Sequence, residues 1–119
     1  MRIISGKFRG KKITFSNSNI TRPLRDYVKE NIFNIITHGK KFKLDFESIN
    51  VLDLYSGTGS FGIECLSRNV NKAVFVEKDL KAFSILNKNI SDLKLSKKAL
   101  LYFLDVKNFI KDLNNEDKF

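Results

Sequence analysis

The segment Val51-Leu-Asp-Leu-Tyr-Ser-Gly-Thr-Gly-Ser-Phe-Gly62 constrains the fold of this chain more than any other. Ile49, Val51, Leu52 and Leu54 form a short, almost unbroken apolar run, the pattern of a strand covered on both faces. Glycines at 57 and 59 let the chain turn sharply off that strand. They also let a ligand approach bare backbone where the next helix begins. Ile63, Leu66 and Ser67 continue as that helix. Residues 73–76 make a second buried strand ending at Glu77, and residues 99–104 a third, ending just before Asp105. Asp79 is placed to cap a helix carrying Ala82, Phe83, Leu86 and Ile90 on one face. Val106, Phe109, Ile110 and Leu113 give one more helical stripe. Alternation of this kind predicts an α/β fold with a parallel, doubly wound sheet.

The first third of the chain has a different texture. Residues 1–43 hold eleven lysines and arginines against Asp26 and Glu30, a net +9, whereas residues 44–119 hold eleven basic and eleven acidic residues. The whole formal charge of +9 therefore sits at the amino-terminal end. A basic segment joined to a neutral remainder implies a polyanion-binding surface beside a separate site. Two units are expected, a basic extension over 1–43 and a site-bearing unit over 44–119. Within the extension, Ile3, Ile4, Phe8, Ile13 and Phe15 alternate around Gly6 and Gly10, which predicts two short strands and a cationic hairpin turn. Residues 16–21 read as a polar loop. Pro23 opens a helix through Val28, Ile32, Phe33, Ile35 and Ile36, and Gly39 ends it. Residues 40–48 read as a charged connector.

Composition narrows the class. Hydrophobic residues at 42% and charged residues at 29% describe a globular chain. No apolar run approaches the roughly 20 residues needed to span a bilayer, and the start lacks a secretory-signal pattern. One cysteine, Cys65, builds neither a disulfide framework nor a zinc site. A cytoplasmic protein without metal or membrane partner is the expectation. Cys65 reads as a small core residue, and His38 as a charge partner at a helix end. The phenylalanines are core by default, with Phe8 and Phe15 in the basic hairpin as candidate stacking platforms for bases.

Gly57-x-Gly59-x-x-Gly62 matches the dinucleotide fingerprint literally and suits an S-adenosylmethionine loop equally well. Asp53 separates the two. A carboxylate four residues before Gly57 would repel a pyrophosphate where positive potential is needed. It would attract the ammonium and sulfonium of S-adenosylmethionine. Glu77, twenty residues after Gly57, suits ribose hydroxyls, and Asp105 can accept from the adenine amino group. Three acids at the carboxyl ends of three successive strands line the crevice where such folds bind ligands. The bland alternatives are a tight structural turn for the glycines and a plain helix cap for Asp105.

Three ordered blocks carry a resemblance. They are Arg2-Ile-Ile-x-Gly6-x-x-Arg9-Gly10-Lys-Lys-Ile13; Arg22-Pro23 followed by Val28-Lys-Glu30-x-Ile-Phe33-Asn34; and Leu52-Asp-Leu-Tyr-Ser-Gly-Thr-Gly-Ser-Phe-Gly62. Together they resemble the 16S ribosomal RNA (guanine(966)-N(2))-methyltransferase family. The resemblance implies an incomplete Rossmann-like, class I S-adenosylmethionine-dependent sheet, its first three parallel strands, preceded by a hairpin and a helix. It implies that Asp53, Ser56, Gly57, Thr58 and Gly59 hold the methionine part of the cofactor. Glu77 would then hold the ribose, Asp105 with the Val106 backbone the adenine, and Tyr55 and Lys78 complete the set. Lys7, Arg9, Lys11 and Lys12, with Arg2, Arg22 and Arg25, would grip phosphates of 16S rRNA or of the assembled small subunit.

Two departures from the family stand out. Leu24 replaces the threonine that usually follows Arg-Pro. The family's Asp-Pro-Pro-Tyr/Phe strand, which orients the guanine amine for in-line attack, has no counterpart, because Pro23 is the one proline. No catalytic residue is therefore assigned, and a fragment inactive in turnover is the expectation. Strand 49–54 would keep one bare edge, since its two partners stack on one side. The rival readings are a non-catalytic RNA-binding remnant, a DNA amino-methyltransferase and, last, a dinucleotide enzyme.

Overall fold

Parallel pairing organises the chain from residue 50 onward. Strand β1 (Asn50–Asp53) pairs with β2 (Lys72–Glu77), and β2 with β3 (Ala99–Phe103), in the order β1-β2-β3. Val51 lies opposite Ala73, and Val74 opposite Leu100. Helix α1 (Ser60–Ser67) links β1 to β2, α2 (Leu80–Asp92) links β2 to β3, and α3 (Val106–Asn115) follows β3. A 3-10 turn (Phe46–Ser48) precedes β1. This computed structural model describes residues 2–14, 33 and 45–115. The α/β, Rossmann-like arrangement expected from the strand–helix alternation is the one observed.

Side chains alternate across a strand, and β2 shows the consequence. Ala73 and Phe75 join one core with Ile63 and Leu66 of α1 and Leu86 and Ile90 of α2. Val74 and Val76 join another with Phe109 of α3. The sheet is thus covered on two sides. Gly62 is required by the first of these layers, because a Cβ there would lie 2.2 Å from a ring carbon of Phe75. Helix α1 rests directly on the strand, as the third glycine of such loops allows.

β1 differs from its expectation. Its residues alternate between exposed and half-buried, and Leu52 is 38% exposed. The strand covered on both faces is β2, whose Ala73 to Val76 are all buried. The physical reason is position. β2 lies between two strands, whereas β1 has one hydrogen-bonded neighbour among the described residues.

The amino-terminal arm, residues 2–14, doubles back as expected, but not as a two-stranded hairpin. Arg2 faces Lys12 in a single antiparallel bridge, closed by Ile3 N to Lys11 O at 2.9 Å and Gly10 N to Ile3 O at 2.8 Å. The amides that would extend a ladder are directed at α1 instead. Ile4 and Ser5 donate to the Glu64 carboxylate at 2.8 and 3.0 Å. Lys7 donates to the Ser67 carbonyl at 2.8 Å, and Phe8 to the Ser67 hydroxyl at 3.0 Å. Ser67 in turn donates to the Ser5 carbonyl at 2.6 Å. Gly6 makes this approach possible: its φ is +87°, and a Cβ would lie 1.9 Å from the Ser67 carbonyl oxygen. Ile3 and Ile13, both almost fully enclosed, fill the first core together with Phe33.

Phe33 is helical and buried, in keeping with the expected helix after Pro23. The rest of that helix, with Arg22, Arg25 and His38, and also Phe15, lies outside the described residues. Phe8 is half-buried against the core, the role expected of the phenylalanines by default, with the Lys11 ammonium 5.4 Å from its ring centroid. Among the described residues no helix is long and apolar enough to cross a membrane. Among them, too, no three His, Cys, Asp or Glu side chains are grouped to hold a metal ion.

Candidate functional site

The loop between β1 and α1 is held by its own backbone and by β2. The Ser56 amide donates to the Val76 carbonyl at 3.1 Å. The Ser56 hydroxyl sits between the carbonyls of Asp53 and Val76, at 2.9 and 3.1 Å, and its one proton serves one of them at a time. Gly59 donates to the Ser56 carbonyl at 2.9 Å and precedes α1 with φ +97°. Thr58 is 2% exposed, and its carbonyl accepts from Asn89 Nδ2 at 2.9 Å. The side chains of Ser56 and Thr58 are therefore turned into the scaffold. Thr58 and Gly59 are buried, and Gly57 is the half-buried member of the three.

Glu77, the last residue of β2, ties that strand to the loop. Its Oε1 accepts the Gly57 amide at 2.8 Å. Its Oε2 accepts the amides of Asp79 at 2.8 Å and Lys78 at 3.1 Å. A carboxylate has about four lone-pair sites, so one acceptor direction is left. Glu77 also lines a cleft of about 280 Å³ at the carboxyl ends of the three strands, with Leu54, Tyr55, Lys78, Leu104, Asp105, Val106 and Lys107. Its volume lies just under the ~300 Å³ lower end of small-molecule sites.

Five of the ten residues singled out from the sequence thus meet in one cleft: Tyr55, Glu77, Lys78, Asp105 and Val106. Sequence reasoning missed Leu54, Leu104 and Lys107. The first two were findable, since each is the last residue of a strand read from the sequence, 49–54 and 99–104. Asp105 combines a structural role with a place in the cleft. Its Oδ1 caps α3 by accepting the Asn108 amide at 2.7 Å, and the residue lines the cleft. Asp79 caps α2 through the Ala82 amide at 2.9 Å, as expected. The acids are fixed by backbone amides, whereas Lys78 and Lys107 are exposed.

Asp53 closes β1 beneath the loop. Its Oδ2 is enclosed and makes no hydrogen bond, the one buried side-chain polar atom without a partner among the described residues. Burial raises its pKa from 3.8 to about 6. The Gly62 amide opposes that rise, the Glu77 charge adds to it, and the Tyr55 amide opposes it again. An enclosed carboxyl with an empty acceptor is unfavourable by itself, and a cation placed against it would remove the penalty. Cys65 is buried in the first core, and burial, with Asp53 and Glu64 nearby, pushes its thiol up to about 12. The thiolate is out of reach near neutral pH, so Cys65 is the core residue the sequence suggested.

On the arm, Arg2, Lys7, Arg9, Lys11 and Lys12 are all exposed. The residues that dock the arm, Glu64, Ser67 and Asn89, were not picked out from the sequence. Glu64 had a signal: it stands inside an apolar helical stretch with Arg68 four residues on, and Arg68 Nε donates to it at 3.0 Å. Asn89 had one too, a polar residue on the face that also carries Leu86 and Ile90.

The family model described as conserved hypothetical protein 95 matches residues 1–119. The ribosomal RNA small subunit methyltransferase D of Haemophilus influenzae is 35% identical over 120 residues, covering 100% of this chain and 59% of its own length. The Escherichia coli (strain K12) protein of the same name is 34% identical over 94 residues, covering 79% of this chain and 44% of its own. Among solved structures, a hypothetical protein of Thermus thermophilus superposes with a TM-score of 0.79 at 27% identity. That match covers 95% of this chain and 60% of the other. The chain spans about half the length of the curated relatives it matches.

Proposed function

The chain belongs to the family described as conserved hypothetical protein 95, and on that premise we propose that it carries the methyl-donor part of an S-adenosylmethionine-dependent methyltransferase. The substrate proposed is the exocyclic N2 of a guanine in small-subunit rRNA. The observation that carries the reading is the enclosed Oδ2 of Asp53, without a hydrogen-bond partner beneath a glycine loop, beside a cleft edged by Glu77 and Asp105. The relatives named as small-subunit rRNA methyltransferases support it.

The residues fit the cofactor by chemistry. S-adenosylmethionine, when bound, supplies an electrophilic methyl group on a sulfonium. Asp53, with Gly57, Thr58 and Gly59, would hold its cationic methionine end, with the Ser56 turn alongside, while Lys78 lies in the cleft with Glu77 and Asp105. The free acceptor direction of Glu77 suits a ribose hydroxyl. Asp105 and the Val106 backbone would read the adenine edge, while Leu54, Tyr55 and Leu104 give its ring apolar walls. A cation against Asp53 lowers its pKa, so ligand and carboxylate charge stabilise each other. Arg2, Lys7, Arg9, Lys11 and Lys12, with Arg22 and Arg25, would neutralise rRNA phosphates, and binding should weaken steeply with salt. No residue of this chain is assigned to orient the guanine amine.

Calorimetry with S-adenosylmethionine and with NAD tests the reading. The methyl donor should bind and NAD should not, and the chain alone should transfer no measurable labelled methyl to isolated small subunits. NAD binding in place of the donor would sink the proposal, and rapid methyl transfer would sink its inactive part. RNA binding that is lost on neutralising Lys7, Arg9, Lys11 and Lys12, without any donor binding, would point to an RNA-binding module instead.

A further inference from the structure

Asn89, which holds the Thr58 carbonyl of the glycine loop, is bonded to the arm as well. It is 3% exposed on the inner face of α2. Its Oδ1 accepts the Thr14 amide at 3.0 Å, while Nδ2 donates to the Thr14 carbonyl at 2.8 Å and to the Thr58 carbonyl at 2.9 Å. The partners themselves fix its orientation, because an N–H can face only Oδ1 and two carbonyls only Nδ2. Both amide protons are engaged. Turning the group over would break all three bonds at once.

The two segments it joins carry the two halves of the proposed activity. Thr58 is the middle residue of Gly57-Thr58-Gly59, the methyl-donor loop. Thr14 ends the described arm, whose exposed cations are Arg2, Lys7, Arg9, Lys11 and Lys12. The other end of the arm is fastened to Glu64 and Ser67 of α1, the helix that starts at the loop. The arm therefore runs from the helix after the loop to α2, and at α2 arm and loop share one buried amide. The loop also packs on this face of α2, since a Cβ on Gly59 would lie 2.6 Å from Leu86.

We propose that Asn89 is a positioning residue that couples the cationic arm to the methyl-donor loop, so that RNA and donor each strengthen binding of the other. The inference rests on the reading given under Proposed function. A shared network of buried hydrogen bonds has few alternative arrangements. A ligand that favours the bonded loop therefore also favours the bonded arm. Linkage requires the effect to be equal in both directions.

The test uses the whole chain, S-adenosylmethionine, and a fluorescein-labelled RNA stem-loop followed by anisotropy. Saturating donor should tighten RNA binding at least about fivefold, and saturating RNA should tighten donor binding by the same factor. Thr14→Pro removes the amide that Asn89 Oδ1 accepts and touches neither ligand. It should cut the mutual enhancement to below about twofold, with each ligand alone binding within about threefold of wild type. Asn89→Ala should abolish the enhancement and also weaken the donor alone by about tenfold. Undiminished enhancement in Thr14→Pro overturns the inference, as does independent binding of the two ligands by the unaltered chain. Failure of the unaltered chain to bind the donor removes the underlying reading as well, so the two failures are told apart.

Discussion

Two enclosed carboxylates, one under the arm and one under the glycine loop, follow opposite rules. Glu64 on α1 is fully buried, and it accepts the amides of Ile4 and Ser5 and the guanidinium of Arg68. Arg68 in turn lies 4.2 Å from the Phe33 ring centroid. Asp53 at the end of β1 has an enclosed oxygen that nothing in the protein meets, and its pKa is raised to about 6. The first acid is complete within the fold. The second keeps one enclosed oxygen without a hydrogen bond, the oxygen that the proposed function gives to a cationic ligand.

The largest effect expected is at the completed acid. Glu64→Ala leaves the Arg68 charge and two arm amides without their acceptor, and removing one partner of a buried pair is destabilising by about 3–5 kcal/mol. Urea denaturation should show a loss of this size, and the arm amides of Ile4 and Ser5 should exchange their hydrogens faster. A change below about 1 kcal/mol would mean that the arm is not held through this carboxylate.

This contrast also explains which parts of the molecule were legible in the sequence. The strand ends, the caps at Asp79 and Asp105, and the meeting of Tyr55, Glu77, Asp105 and Val106 follow from local pattern. An apolar run, a breaker and an acid fix where a strand stops, and parallel strands bring their ends together. The docking of the arm was not legible. Its hydrogen bonds join residues 59 to 75 positions apart, and most of the donors are backbone amides, which no sequence distinguishes. The hairpin expectation failed for the same reason, since α1 competed for the amides of Ile4, Ser5, Lys7 and Phe8. The expectation for β1 failed because an apolar run reports what a strand can bury, not whether a neighbour covers it.

Asp53 is the sharper test of the comparison. Its folded pKa of about 6 lies above the ordinary 3.8, so the folded state binds its proton more tightly than the unfolded chain does. The associated stability is full below pH ~4 and is lost as pH rises through ~6. Two units correspond to about 3 kcal/mol, from which the unsatisfied amide of an asparagine would subtract about 1–2 kcal/mol. Asp53→Asn should therefore be more stable than wild type by about 1–2 kcal/mol at pH 7.5. That advantage should disappear on acidification to pH ~4. The same variant should bind S-adenosylmethionine at least about tenfold more weakly. A variant that is less stable at pH 7.5 and binds the donor normally would place Asp53 in the same class as Glu64.

The smallest effect is expected at Asp105, which caps α3 and to which the proposed function also gives a ligand contact. Asparagine caps a helix about as well as aspartate, and alanine is worse by about 1 kcal/mol. Asp105→Asn should therefore leave unfolding unchanged to within a few tenths of a kcal/mol, while Asp105→Ala should lose about 1 kcal/mol. Their donor affinities should not follow that order. An asparagine whose Oδ1 keeps the Asn108 amide would turn an amide donor toward the adenine amine, which is itself a donor. Both variants should then bind S-adenosylmethionine more weakly by about threefold to tenfold, the range of one lost hydrogen bond. If Asp105→Asn binds the donor as wild type does, the carboxylate acts on α3 alone. The adenine edge would then have to be read by the backbone of Val106.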